Sequence, residues 1–361
     1  MKNIAIIYGG KSPEHDVSIL TGLHLYKFIK DSYNVSLIYL TRENELLLAN
    51  GFLIDDYISG RVLKSARLCY FSAGALFSGG LFGKKLNYID CVLNCTHGGI
   101  GENGALAEYF NCAGVAFSSC GSDSAKNQMS KLKTREILSK AKFDQPKFIG
   151  VNKYTDLNKI EAKIGYPMII KPDTLGSSIG ISVARDRAGL ETALDLALKM
   201  DKNAIVEEFF EGITEMNVAC VKEGDEILVS EVETPQNKSE TYSFADKYLS
   251  RASSGKIKCA ENEGDEKVKA EIQKLATRAY KLFGSTGVVR ADFMIAGERI
   301  ILGETNTNPG FLSYHLWLKK GVSYGEIVEI MIKEGEKRLR ESQNFITNFA
   351  SDVLETNREL V

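Results

Sequence analysis

The sequence VRADFMIAGERIILGETNTNPG, residues 289–310, holds two largely apolar segments, and each contains two polar residues that lie two positions apart. This alternation predicts a hairpin of two strands, because successive side chains of a strand point to opposite faces. Arg290 and Asp292 then share one face of the first strand. Glu304 and Asn306 share one face of the second strand, and a three-residue loop GER would place Asp292 directly across from Glu304.

Two carboxylates that face each other across a strand pair repel and destabilise the hairpin. A divalent cation between Asp292 and Glu304 would remove that repulsion, and the amide oxygen of Asn306 adds a third hard ligand of the kind that Mg²⁺ binds. The alternative is a solvated acidic strand face, which the apolar flanking residues argue against. We therefore predict a metal site on this hairpin, with the backbone N–H groups of the following NTNPG segment beside Arg290.

A second segment, MIIKPDTLGSSIGISVA at residues 168–184, places a lysine and a loop of small residues between two apolar runs. Gly176, Ser177 and Ser178 leave backbone N–H groups accessible to a ligand, and Lys171 adds a positive charge. The segment is not a P-loop, because the lysine precedes the glycines and a strand follows them. By itself it is equally compatible with a hairpin over a triphosphate and with an ordinary turn beside a surface lysine.

The composition indicates a globular protein in a reducing compartment. Of 361 residues, 44% are apolar and 25% are charged, and the formal net charge of −2 gives no general attraction to nucleic acid or to anionic membranes. The first apolar run is too short for a signal peptide, and no run is long enough to span a bilayer. The seven cysteines lack the spacing of a disulfide framework. We therefore expect a cytoplasmic protein with neither a nucleic-acid nor a membrane partner.

Strand and helix patterns alternate over roughly the first 120 residues and predict a parallel α/β sheet. NIAIIYGG is a strand that ends in glycines, and the helix SPEHDVSILTGLHLYKFIK follows it, opened by Ser12 or Pro13. Residues 42–88 fit no simple strand–helix unit and are interpreted as an inserted hairpin region. SAKNQMSKLKTREILSKA predicts one long helix, and a small α+β unit follows it. From Thr214 onward the strands lengthen and look antiparallel.

Six short motifs occur in the order found in D-alanine–D-alanine ligases of the ATP-grasp superfamily, which this sequence resembles over about residues 3–340. They are GGKSPEHDVS (9–18), HGGIGENG (97–104), KPDTLGSSIG (171–180), DKYLS (246–250), VRADF (289–293) and ETNTNPGF (304–311). The resemblance implies a Rossmann-like N-terminal parallel sheet followed by a two-lobed ATP-grasp fold. The implied domains are residues 1–122, a small lobe at 123–209, a large lobe with lid and metal site at 210–345, and a tail at 346–361.

In that family, ATP phosphorylates the carboxylate of a first D-alanine, and the amine of a second D-alanine displaces the phosphate. The resemblance thus implies ATP and D-alanine as substrates, two Mg²⁺ ions with Mn²⁺ as an alternative, a homodimer, and a product used in peptidoglycan synthesis. D-serine or D-lactate as the second substrate remains an alternative. Family members that make the ester tend to lack the lid tyrosine, so Tyr248 favours the dipeptide.

The family motifs assign the nucleotide to both lobes. The residues assigned to the phosphates are Lys131, Lys171, Gly176, Ser178 and the lid residue Lys247. Glu207 is assigned to the adenine amino group, and the backbone of Phe209 and Phe210 is assigned as a hinge. Glu215 is assigned to the ribose. The segment EGITE, which holds Glu215, is one residue longer than the commonest family spacing. Ordinary surface charge is the alternative for both glutamates.

The same carry-over assigns the chemistry. Asp292, Glu304 and Asn306 match the two-magnesium site, and Arg290 and the N–H of Gly310 match the oxyanion-stabilising group. Glu14 would pair with the ammonium of the first D-alanine. Ser177 and Tyr248 would complete a hydrogen-bonded set with it. His97 would either lie near the substrate or stabilise the conformation of its own loop.

One stretch departs from the family pattern. After NTNPG the sequence continues FLSYHLW, so Leu312 replaces a threonine and His315 stands where a serine usually binds the carboxylate of the second substrate. His315, Ser313 and the N–H of Leu316 are the alternatives for that contact.

Overall fold

The first sheet of the computed structural model extends a parallel centre with antiparallel strands. The structure describes residues 1–80, 83–235, 266–344, 351 and 353; Lys247, Tyr248 and nearly all of the predicted tail lie outside them. The strands are β1 (Asn3–Gly9), β2 (Asn34–Leu40), β3 (Leu46–Leu48), β4 (Arg67–Ser72), β5 (Ala75–Ser78), β6 (Lys85–Tyr88) and β7 (Cys91–Asn94), in the order β6-β5-β4-β3-β2-β1-β7. Because β1 pairs in parallel with β2 and β7, the predicted parallel sheet is confirmed for these three strands. The inserted region adds the antiparallel strands and the short helices α2 (Ile54–Ile58) and α3 (Arg61–Ser65).

Helix α1 (His15–Ile29) begins later than the sequence predicted. The hydroxyl of Ser12 accepts a hydrogen bond from the N–H of Glu14 at 3.0 Å, so Ser12 and Pro13 form a turn ahead of the helix and Glu14 occupies the N-cap. Gly22 lets the helix approach β1 closely, because a Cβ there would lie 2.6 Å from the ring of Tyr8. The carboxylate of Glu14 is therefore held at the helix N-terminus, above the end of the parallel strands. Helix α4 (Ala105–Cys112) follows β7.

The predicted long helix is two helices, α5 (Ser122–Met129) and α6 (Lys131–Lys140). Ser130 separates them: its hydroxyl accepts the N–H of Lys133 at 3.1 Å as an N-cap and donates to the carboxylate of Asp173 at 2.9 Å. A four-stranded antiparallel sheet follows, in the order β10-β9-β11-β8. Its elements are β8 (Phe148–Val151), α7 (Leu157–Ile164), β9 (Met168–Pro172), β10 (Ser182–Ala184), α8 (Arg187–Met200) and β11 (Ala204–Glu208).

The third sheet is antiparallel, as predicted for the chain after Thr214, with the order β13-β12-β14-β15. The elements are β12 (Thr214–Glu223), β13 (Glu226–Val229), α9 (Glu266–Leu282), β14 (Val289–Ala296), β15 (Arg299–Asn306), α10 (Tyr314–Lys319) and α11 (Tyr324–Gln343). Each sheet lies within one of the three predicted domain ranges; the boundaries themselves stay a prediction.

A shared core holds the C-terminal helices against the first sheet. Ile327, Val328 and Met331 of α11 pack in one buried cluster with Ile4 of β1 and with Trp317. The burial of these apolar side chains holds the chain that follows β15 beside α1. The loop that follows β15 is thereby brought to the same end of the first sheet as Glu14.

Candidate active site

The β14–β15 hairpin sets two carboxylates opposite each other, as predicted, but by a different route. Ala296 pairs with Arg299, so the turn has two residues and the predicted three-residue loop is wrong. A bulge at Gly303 then shifts the register by one residue and restores Asp292 to its place opposite Glu304. Gly303 suits this position, since a Cβ there would lie 3.0 Å from the carbonyl oxygen of Asp292.

Hydrogen bonds hold the carboxylate of Asp292 from two sides. Arg290 donates to it through Nε at 2.6 Å and Nη2 at 2.7 Å, and the Asn306 amide donates at 3.0 Å. Among the residues described, no three His, Cys, Asp or Glu side chains come close enough to hold a metal ion together. The protein therefore offers two carboxylates and an amide oxygen. This donor set fits Mg²⁺, which keeps several waters and shares its coordination with substrate phosphates.

The small-residue loop between β9 and β10 reaches the N-terminus of α1. The hydroxyl of Ser177 donates a hydrogen bond to the carboxylate of Glu14, although the two residues are 163 positions apart. Ser177 and Ser178 both adopt left-handed backbone conformations, with φ of 52° and 58°. A carboxylate from the first sheet and the candidate phosphate loop, with Gly176 beside Glu14, thus share one site.

Two further side chains, the carboxylate of Glu102 and the imidazole of His97, lie near Glu14. The carboxylate of Glu102 accepts the N–H of Gly98 at 2.8 Å, and burial together with the charge of Glu14 raises its pKa to about 8. His97 is buried, and burial lowers its pKa. The sequence analysis did not single out Glu102. The available signal was its place in HGGIGENG, a glycine-rich loop that leaves a carboxylate little side-chain bulk to pack against.

Two of the predicted nucleotide residues, Lys171 and Glu207, belong to a buried ion-pair cluster. Glu207 accepts a hydrogen bond from Lys171 at 2.7 Å and another from Nε of Arg135, whose Nη1 also donates to the carbonyl of Leu302 at 2.6 Å. Burial alone would raise the pKa of Glu207, but Arg135 and Lys171 together lower it to about 2. The carboxylate is therefore ionised and already shared between two cations, so any contact with adenine would use its remaining lone pairs.

Arg135 was missed by the sequence analysis. Its signal was a charged residue on the buried face of α6, three residues before Leu138, where only a paired charge is tolerated. Lys131, one turn earlier, donates to the carbonyl of Leu175 at 2.5 Å, and burial lowers its pKa while the carboxylate of Glu304 opposes that effect. The helix thus presents Lys131 near the hairpin carboxylate of Glu304, and Arg135 to Glu207 and to the backbone of the hairpin.

The chain that joins the two antiparallel sheets runs through the predicted hinge. The N–H of Phe209 donates to the carbonyl of Pro167 at 3.3 Å, and the ring of Phe210 lies 5.0 Å beneath the guanidinium of Arg299. Glu215 follows on β12, where it pairs with Met294. Phe209 and Phe210 therefore lie between the sheet that carries Lys171 and the sheet that carries the hairpin carboxylates, and Glu215 lies in the latter sheet.

The region that departs from the family pattern contains contacts to Glu233 that none of the three alternatives predicted. His315 bonds through Nε2 to the carboxylate of Glu233 at 2.8 Å, and Lys319 reaches the same carboxylate at 3.3 Å. The hydroxyl of Ser313 is buried with no hydrogen-bond partner within the part of the chain that the structure describes. Leu316 is fully buried.

A Rossmann-like sheet, two antiparallel sheets joined by a short segment, and an acidic hairpin near the half-buried Lys131 define an ATP-grasp enzyme. The fold matches the D-alanine–D-alanine ligase of Helicobacter pylori with a TM-score of 0.77 and 21% identity, covering 92% of this chain and 98% of that one. It also matches the VanG D-Ala:D-Ser ligase of Enterococcus faecalis, with a TM-score of 0.80 and 25% identity over 92% and 99% of the two chains.

Comparison with related sequences identifies the family within the ATP-grasp enzymes. Family models for the N-terminus and C-terminus of D-ala D-ala ligase match residues 3–120 and 137–333. A D-alanine–D-alanine ligase of Thermosipho melanesiensis is 30% identical over 95% of this chain and 96% of its own. The chain therefore belongs to the D-alanine–D-alanine ligase family and is a ligase. Over the residues described, its helices include none with the length and apolar character of a membrane span.

Proposed function

We propose that this enzyme uses ATP to join two D-alanines through an acyl phosphate. A carboxylate oxygen of the first D-alanine attacks the γ-phosphorus and ADP leaves. The amine of the second D-alanine then attacks the acyl carbon, loses a proton, and phosphate leaves. The observation that carries the proposal is the hydrogen bond from Ser177 to Glu14, which joins the candidate phosphate loop to the N-terminal sheet and closes one substrate site between them.

The substrate roles follow from charge and position. Glu14 would pair with the ammonium of the first D-alanine, and its bond to Ser177 would orient it. Lys131 and Lys171 would hold the phosphates, since Lys131 is a cation near the hairpin carboxylate of Glu304 and Lys171 lies near Lys131. We also propose that Tyr248 and Lys247 complete the site. Both lie outside the residues that the structure describes.

The hairpin would serve the charge that develops during the reaction. Asp292, Glu304 and Asn306 would hold two magnesium ions, which supply charge neutralisation at the phosphate oxygens when bound. Arg290, oriented by its two bonds to Asp292, and the N–H of Gly310 would donate to the oxyanion of the tetrahedral intermediate. Excluding water from this site would protect the acyl phosphate from hydrolysis.

The test compares phosphate release from ATP alone, with D-alanine, and with D-alanine plus D-serine or D-lactate, with the products identified by mass. The proposal expects D-alanyl-D-alanine in stoichiometric amounts with the phosphate released. A mixed product formed in preference to the dipeptide would replace it with the alternative second substrate. Phosphate release that ignores D-alanine would refute ligation altogether.

The cellular setting is part of the same proposal. A dipeptide of D-alanine serves peptidoglycan precursor synthesis, and the enzyme would act in the cytoplasm as a homodimer without nucleic-acid or membrane partners. Light scattering of the purified enzyme tests the dimer directly. A monomer at micromolar concentration would refute that component.

A further inference from the structure

A buried histidine links the first sheet to the loop that follows β15. His97 lies 2.8 Å from the carbonyl oxygen of Asn308 through Nδ1 and 2.8 Å from the hydroxyl of Thr21 through Nε2. A carbonyl oxygen can only accept, so Nδ1 carries the proton, and in a neutral ring Nε2 accepts from Thr21. Burial lowers the pKa of His97, which keeps the ring neutral. The side-chain amide of Asn308 in turn donates to the carbonyl of Thr96.

The loop held by this histidine has an unfavourable backbone conformation. Phe311, Leu312 and Ser313 have φ of 50°, 54° and 52°, in the left-handed region that is unfavourable for a residue other than glycine. The N–H of Phe311 donates to the hydroxyl of Thr21 at 3.4 Å. The network therefore holds the chain on both sides of Gly310. It bonds the carbonyl of Asn308 before this glycine and the N–H of Phe311 after it.

We propose that His97 and Thr21 are positioning residues that hold the N–H of Gly310 where the oxyanion forms. This inference rests on the proposed role of Gly310 in ligation. Neither side chain touches the reacting atoms. Their effect acts through the loop, whose left-handed run relaxes when the contacts on either side of Gly310 are removed. A misplacement of about 1 Å in such a group costs up to about a hundredfold in rate.

The direct test is Thr21→Val, which keeps the shape of the side chain and removes the hydroxyl that bonds both His97 and Phe311. We expect dipeptide formation to fall about tenfold or more, with the KM for ATP within about twofold of wild type. Thr21→Ser, which keeps the hydroxyl, should restore most of the rate. His97→Gln retains an acceptor for Thr21 and loses the bond to Asn308, and we expect the same kind of loss from it should the valine variant fold poorly.

Isotope exchange separates positioning from general damage. Scrambling of ¹⁸O between the bridging and non-bridging positions of ATP reports reversible formation of the acyl phosphate. If only the second step is impaired, the acyl phosphate returns to ATP more often, and the ratio of scrambling to dipeptide formed rises about tenfold in Thr21→Val. A loss of stability alone lowers both quantities together and leaves their ratio unchanged.

Ser18→Ala is the matched control. Ser18 lies on the same helix, is fully buried, and makes two bonds, accepting the N–H of Gly9 at 2.7 Å and donating to the carbonyl of Cys95 at 2.8 Å. It should lower the melting temperature as much as Thr21→Val while the exchange ratio stays at the wild-type value. A ratio that is unchanged in Thr21→Val, or that rises equally in Ser18→Ala, overturns the positioning role alone. A wild-type enzyme that makes no dipeptide overturns both this role and the proposed function.

Discussion

Replacing Arg135 with methionine is expected to destabilise the enzyme by about 3–5 kcal/mol, the usual result of removing one member of a buried ion pair. The side chains of Arg135 and Glu207 are 2% and 3% exposed, so water cannot take the place of the lost guanidinium. Methionine matches the length of the arginine stem and keeps the packing. The cost arises because the buried carboxylate of Glu207 loses one of its two cations and keeps Lys171, and because the carbonyl of Leu302 loses the N–H donor of Arg135.

The ionisation of Glu207 sets the pH dependence of this loss. Arg135 and Lys171 together lower its pKa from 4.5 to about 2 in the folded state, which at about 1.4 kcal/mol per unit corresponds to about 3–4 kcal/mol shared between the two cations. Because the folded pKa is depressed, this stabilisation is fully present above the unfolded value of 4.5 and is lost as pH falls through 2. The difference between wild type and Arg135→Met should therefore be largest at pH 6–7 and shrink on acidification below pH 4.5.

Urea unfolding followed by circular dichroism at pH 7 and at pH 4 measures both effects. Arg187→Met is the control, because Arg187 forms a 2.8 Å pair with Glu161 but is 49% exposed, and such pairs are worth about 0.2–1 kcal/mol. The double variant Arg135→Met/Glu207→Met should recover much of the loss, since no charge is then buried alone. A loss below about 1 kcal/mol in Arg135→Met, or one equal to that of the control, would refute this reasoning.

Three substitutions test the site itself. Glu304→Gln should lower turnover on the order of a thousandfold by removing a ligand and a charge where phosphoryl charge develops, and near-normal turnover at ordinary Mg²⁺ would contradict the metal assignment. Ser177→Ala should lower ligation about tenfold or more with little change in the KM for ATP, because its hydroxyl bonds a carboxylate rather than the nucleotide; equal losses in both would make the loop a phosphate grip only. His315→Ser should raise the KM for the second D-alanine several-fold, because Glu233 loses its hydrogen bond to the imidazole and its negative charge is less compensated where the second carboxylate is proposed to bind. Glu233→Gln in the same chain should reverse that effect, and an unchanged KM in His315→Ser would place the second carboxylate elsewhere.

Local patterns in the sequence determined the parallel centre of the first sheet, the antiparallel strands after Thr214, and the hairpin that carries Asp292 and Glu304. Each of these rests on a side-chain period or a turn signal that spans a few residues. The break at Ser130 and the bulge at Gly303 were not predicted. Ser130 ends a helix because its hydroxyl reaches Asp173, and Gly303 is extruded where its missing Cβ permits a close approach to Asp292. Both depend on a neighbour from another segment.

The order of six motifs was enough to indicate the family and most of the candidate site residues. Only the tertiary structure decided that Arg135 neutralises Glu207, 72 residues away, that His315 pairs with Glu233, and that His97 bonds to Asn308 across 211 residues. The helical pattern around Arg135 marks it as a buried charge, but no local signal in the sequence identifies the partner in any of these three pairs. A buried charge or imidazole must find a partner in whatever segment packs against it, and that segment is chosen by the folding of the whole chain.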